Sequence, residues 1–158
     1  MFRGYDLRNN ETVTHEGEGE YSAHLFSRKA VEVIEAAGEK PVFLYLSFQS
    51  IHKPIQVPDS YARLYQPYGR LSKESRRLGM ISVLDEAVKN VSLALKEAGR
   101  YHNTAIVFMS DNGGAEKGSN WPLRGGNQTL IMRTTSKCLS GFSTFSDPKL
   151  ALIDWQLV

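Results

Sequence analysis

A single cysteine, Cys138, stands in the 158-residue chain. One thiol closes no disulfide framework and builds no thiolate metal cluster. Net charge is also scarce: a formal +2 is too small to imply nucleic acid or a membrane surface as partner. No apolar run approaches the length of a membrane span, and the opening "MFRGYDLRNNETV" lacks the apolar core of a signal peptide. Internal repeats and low-complexity tracts are missing. So are a serine-histidine-aspartate order, a zinc-ligand spacing and a phosphate-binding glycine loop. What is left is an ordinary globular composition, 41% hydrophobic and 23% charged, at a length that suits one domain with a buried core.

Residues 1–20 are polar and read as loop. From about Ser22 to Ala37, the residues Phe26, Ala30, Val33, Ile34 and Ala37 fall on one helical face, with Gly38 as the stop and Pro41 beyond it. "VFLYLSF", Val42 to Phe48, is short and continuously apolar, which predicts a strand covered on both faces. "QSIHKPIQVPDSYARLYQPYGR" then forms a long irregular connection, of a length uncommon without a functional reason. A helix from about Ser72 to Ala98 follows, with Ile81, Leu84, Val88, Val91 and Leu95 as its buried stripe and Gly99 as its stop. The basic group Arg70, Lys73, Arg76 and Arg77 reads as a solvated face. "TAIVFMS", Thr104 to Ser110, is the second buried strand. Residues 131–158 show too little periodicity for any assignment.

Strand, long helix, strand makes a βαβ unit with a right-handed crossover and parallel strands. Parallel strands end at the same edge. His52 and the pair Asp111–Asn112 would therefore share the carboxyl edge of the sheet, where open α/β folds place their ligands.

Locally, "SDNGG" has two readings. Asn-Gly is a strong turn dipeptide. A carboxylate and a carboxamide oxygen side by side also suit a hard cation such as Ca²⁺ or Mg²⁺, although two ligands hold one poorly. His52, in "SIHKPIQVP", is either a surface histidine or a hydrogen-bond donor to an anion. Lys53 reads as solvated. Arg124, in "NWPLRGG", could bind an anion or pin its own loop. Asn10, Asn90 and Asn127 begin glycosylation sequons; Asn90 lies about 130° around the helix from the apolar stripe.

Three stretches taken together, "KPVFLYLSFQSIHKPIQVPDSY", "GMISVLDEAVKNVSLALKEAG" and "NTAIVFMSDNGGAEKGSNWPLRGG", resemble the sulfatase family. They are most similar to its arylsulfatase B (N-acetylgalactosamine-4-sulfatase) branch, with the arylsulfatase I and J relatives. The resemblance runs from about Gly4 to Leu130 and covers the middle of a longer sulfatase. It implies an α/β fold, part of an alkaline-phosphatase-like domain with an incomplete sheet. Residues 1–130 would be a partial catalytic domain and 131–158 a divergent tail. It also implies sulfate-ester hydrolysis by a formylglycine made from a cysteine in a Cys-x-Pro-Ser-Arg motif, with a Ca²⁺ polarising the sulfate. By position Asp111 and Asn112 match the late Ca²⁺ ligands, His52 the histidine that contacts the sulfate, and Asn90 a glycosylated asparagine. With this, the metal reading of "SDNGG" overtakes the turn reading. The implied partner is a sulfated carbohydrate or aryl sulfate ester, and the implied location is lysosomal or secretory.

The departures are specific. Cys138 lies in "SKCLSG", without the required Pro and Arg and after the Asp-Asn pair instead of before it. The early aspartate ligands have no counterpart, and Asn127 stands where the family usually has a sulfate-binding lysine. An incomplete sulfatase and an inactive sulfatase-like product with a binding role both remain open. A phosphate-ester hydrolase of the same superfamily fits less well, because "NWPLRGG" matches sulfatases in particular.

Overall fold

A computed structural model of the chain describes residues 7–108, 110, 114 and 153–154. Its centre is the helix α3 (Lys73–Glu97), flanked by α1 (Ser22–Ala36) and the short α2 (Asp59–Arg63). Ser72 caps α3: its hydroxyl accepts the Ser75 N–H at 3.0 Å, satisfying an amide that the helix start leaves without a partner. Gly99 ends it in the left-handed region, at φ 67°, where a side chain would be strained. The Gly99 and Arg100 amides turn back onto the Lys96 and Leu95 carbonyls at 3.0 and 2.8 Å, which fills the last acceptors. The Arg100 guanidinium then donates to the Gly38 carbonyl and, at 2.6 Å, to the Lys40 carbonyl, tying the ends of α3 and α1 together.

α1 and α2 both pack against α3. Their shared core holds Ala23, Ala30 and Ile34 from α1, Ala62 from α2, and a row from Met80 through Val83, Leu84, Ala87 and Val91 to Leu95 on α3. Small residues set the spacing: a Cβ added at Gly79 would stand 3.0 Å from the Ala62 amide nitrogen. Val33 and Ile81, which spacing alone puts on buried stripes, are each 45% exposed. The buried line on α3 is instead offset from Ile81 to Met80 and Val83, beside Gly79 and Ala87, and on α1 it runs over Ala23, Ala30 and Ile34, which leaves Val33 and Ile81 on the flanks.

Two small ladders complete the description. β1 (Arg8–Asn9) and β2 (Thr12–Val13) form an antiparallel hairpin in a stretch read as loop, turning at Asn10 with φ 55°. Both strands are exposed, so no buried alternation marked them. β3 (Leu44–Tyr45) pairs in parallel with β4 (Ile153–Asp154), with Leu44 opposite Ile153. The run Val42–Phe48 thus has a parallel partner across a helical crossover. That partner is not the 104–110 segment: residues 104–108 form no strand. Apolar composition identifies a strand-forming run but says nothing of which neighbour it will find.

Burial along this run alternates. Leu46, Phe48 and Ser50 are buried, whereas Phe43 and Tyr45 are 65% and 43% exposed. Among the described residues the expected cover on both faces is present on one, the face turned into the core with the helices. His52 follows at the carboxyl end of β3.

Candidate functional site

The loop after β3 is held at both ends and open at its tip. Phe48 and Ser50 at one end and Val57 at the other are buried, while His52, Lys53 and Pro54 between them are exposed. Tyr21, immediately ahead of α1, spans the base. Its hydroxyl donates to the Gln56 carbonyl at 3.0 Å, and the Ser50 side chain hydrogen-bonds to the same hydroxyl. Burial raises the Tyr21 phenol above its ordinary value, and the Ser50 bond offsets part of that rise. A hydrogen bond from the His52 amide to the Gln49 carbonyl, 3.0 Å, closes the turn that leads into the tip. The peptide bonds Ser50–Ile51 and Lys53–Pro54 are cis.

His52 Nδ1 lies 2.7 Å from the Lys53 carbonyl oxygen. A carbonyl only accepts, so this bond requires the proton on Nδ1. That choice of tautomer leaves Nε2 as the ring nitrogen free to accept a proton or, once protonated, to donate to an anion.

Behind the loop, three helices are joined by polar side chains. The Tyr61 hydroxyl of α2 donates to Glu86 Oε2 of α3 at 2.5 Å, and His24 Nε2 of α1 lies 3.2 Å from that hydroxyl. The bond to Glu86, with burial and the carboxylate's charge adding to it, pushes the Tyr61 phenol up to about 12. An open cleft of about 740 Å³ lies where Tyr21, His24 and Arg76 face the returning leg of the loop, Ile55 to Pro58. Asn90 is exposed on α3 and borders a smaller cleft of about 370 Å³ with His24, Arg28 and Glu86.

Asp111 and Asn112 lie outside the described residues, as do Arg124, Asn127 and Cys138. Their donor chemistry, one carboxylate and one carboxamide oxygen, suits a hard cation but leaves its shell incomplete. Among the described residues no group of three or more His, Cys, Asp or Glu side chains could hold a metal ion. Glu86, the acidic side chain of α3 nearest in character to a spare ligand, is engaged by Tyr61. No helix of the described residues is long and apolar enough to cross a membrane.

Sequence reasoning singled out His52 but passed over the residues that fix its loop. Tyr21 and Ser50 carry no motif; each is a common polar residue whose partner stands far along the chain. His24, which stands in no recognisable motif, joins α1 to α2 at the Tyr61 hydroxyl.

Comparison with known proteins gives a consistent answer. The model of the sulfatase family matches residues 1–132. Arylsulfatase J of Mus musculus is 39% identical over 130 residues, which cover 80% of this chain and 22% of that protein. N-acetylgalactosamine-6-sulfatase of Mus musculus is 30% identical over 117 residues, covering 68% of this chain and 21% of that one. The crystal structure of Ps i-CgsB in complex with k-i-k-neocarrahexaose superimposes with a TM-score of 0.65 at 34% identity, over 74% of this chain and 26% of the other. The chain thus spans about a fifth of the length of these curated relatives.

Proposed function

We propose, from the premise that this chain belongs to the sulfatase family, that it supplies part of a calcium-dependent arylsulfatase site. The substrate class is a sulfate ester of a carbohydrate, of the N-acetylgalactosamine 4-sulfate type. One observation carries the reading: His52 stands on the exposed tip of a loop clamped at both ends, at the carboxyl end of a parallel strand.

In this reading His52 binds the sulfate through Nε2 and moves a proton there, while its Nδ1–H bond to the Lys53 carbonyl keeps the ring in one tautomer. Tyr21 and Ser50 are positioning residues that hold the loop. Asp111 and Asn112 would hold a calcium ion, which when bound would draw negative charge from the sulfate oxygens. A sulfate monoester pushes charge onto its leaving oxygen, so a cation and a histidine donor near that group lower the barrier. Asn90 would carry a glycan, in keeping with a lysosomal or secretory location. The cysteine in "SKCLSG" does not stand in a formylglycine motif; the second reading is a sulfatase-like product that binds without turning over.

The test is direct. The purified chain, supplied with calcium, should hydrolyse a chromogenic aryl sulfate at background rate. Calorimetry should give a calcium affinity of about millimolar or weaker, removed by Asp111→Ala. Turnover abolished by Asp111→Ala would contradict the account of the nucleophile. Micromolar calcium binding would show that further ligands belong to the site.

A further inference from the structure

Between α2 and α3 the chain forms a loop whose shape is set by one side chain. Gln66 Nε2 donates to the Arg70 carbonyl at 2.7 Å, and Gln66 Oε1 accepts the Ser72 amide at 2.8 Å. Both ends of the carboxamide are used, and residues 67–70 project beyond it, turned by Gly69 at φ 80°. At the foot of the loop the Tyr65 and Ser82 hydroxyls meet at 2.5 Å, which ties it to α3.

The side chains on this projection are not those of an ordinary solvated loop. Tyr68 is 88% exposed, with Leu64 at 68% and Tyr65 at 46% close to it in the chain. Arg63, Arg70 and Lys73 are exposed and form no ion pair among the described residues. The neighbouring cations are accounted for: Arg76 pairs with Asp59 at 2.9 Å and Arg77 with Glu74 at 3.1 Å. No acidic residue occurs between Arg63 and Lys73. The segment 63–73 thus carries exposed aromatic rings and, on the loop and on the helix ends that border it, cations with no ion pair among the described residues.

We propose that the 63–73 surface is a docking site for a sulfated polysaccharide. The apolar C–H face of a sugar ring lies well against a tyrosine, and its sulfates pair with guanidinium and ammonium groups. Gln66 pre-orders the loop, which lowers the cost of binding. The ligand class rests on the sulfatase reading above. A polymer of sulfated sugars extends beyond the ester being cut, so a second point of attachment raises its local concentration at the first.

The experiment measures binding, not turnover. The chain is titrated with chondroitin 4-sulfate and with the same polymer chemically desulfated. The sulfated polymer should bind in a salt-sensitive manner, at least about tenfold more tightly than the desulfated one. Tyr68→Ala and Arg70→Ala should each weaken it by about two- to tenfold. Lys29→Ala, which removes a cation of α1 already paired with Glu16 and Glu32, should leave it unchanged. Circular dichroism checks that the variants fold. Equal affinity for the desulfated polymer, equal affinity for a DNA duplex, or a loss at Lys29 as large as at Arg70 would each overturn the proposal. The calcium affinity and its loss in Asp111→Ala are read without Tyr68 or Arg70, so failure here is distinguishable from failure of the site reading.

Discussion

Phe43 and Phe48 stand in the same extended run, yet Phe43 is 65% exposed and Phe48 only 1%. Phe48 faces the helices. Phe43 faces away, with Tyr45 beside it on the same side. The helical side closes within the described residues, because α1 and α2 both pack against α3. The other side does not close among them. Sheets in α/β folds are covered on both faces, and the two faces of this run show which half of that arrangement the described residues provide. The same asymmetry marks the loops: 49–57 is pinned by buried residues at both ends, whereas 64–72 is pinned by Gln66 and left open.

The sharpest test of that contrast is a pair of truncations. Phe48→Ala should cost about 3–5 kcal/mol, the range for a buried phenylalanine that leaves a cavity. Phe43→Ala should change stability by no more than about 0.5 kcal/mol, as for an open surface site. Urea unfolding of the two variants reads both. Similar losses would mean that the Phe43 face is covered after all.

A smaller effect is expected where the loop is clamped. Tyr21→Phe removes the bond to the Gln56 carbonyl and should cost about 0.5–1.5 kcal/mol. Amide exchange at His52 should quicken with it. Unchanged exchange would separate Tyr21 from the loop and limit its role to α1.

How far the sequence discloses this arrangement depends on the range of the interactions. α3 was legible almost to the residue, because a serine cap, a glycine stop and an apolar stripe are all local signals. α1 was legible for the same reason, apart from Val33. The strand run was legible from composition, but its partner and its open face were not, since both depend on segments distant in sequence. The exposed loop position of His52 was legible from its place after an apolar run; its role rests on the family resemblance. Its clamp was not, because Tyr21 meets Gln56 across 35 residues of chain. Asp111 and Asn112 rest on that resemblance and on their oxygen donors.

The smallest effect concerns pH and the tie between helices. The protonated Tyr61 hydroxyl bonds Glu86, and its folded-state value lies at about 12, above an ordinary phenol near 10. The stability from this bond is therefore complete below about pH 10 and is lost as pH rises through about 12. An alkaline absorbance titration should show Tyr61 among the late tyrosines, with Tyr21 also raised by burial, and Glu86→Gln should move Tyr61 alone down toward an ordinary phenol. A titration unaffected by that change would remove Glu86 as the cause.

The central claim is that His52 and Asp111–Asn112 serve one sulfate-binding site. With four histidines in the chain, their ring resonances can be followed by NMR as an aryl sulfate and calcium are added. The account predicts that His52 shifts with the aryl sulfate, that calcium enlarges the shift, and that Asp111→Ala removes the enlargement, while His24, held at Tyr61, stays in place. A His52 resonance that does not move, or that moves equally in the Asp111→Ala chain, would contradict it.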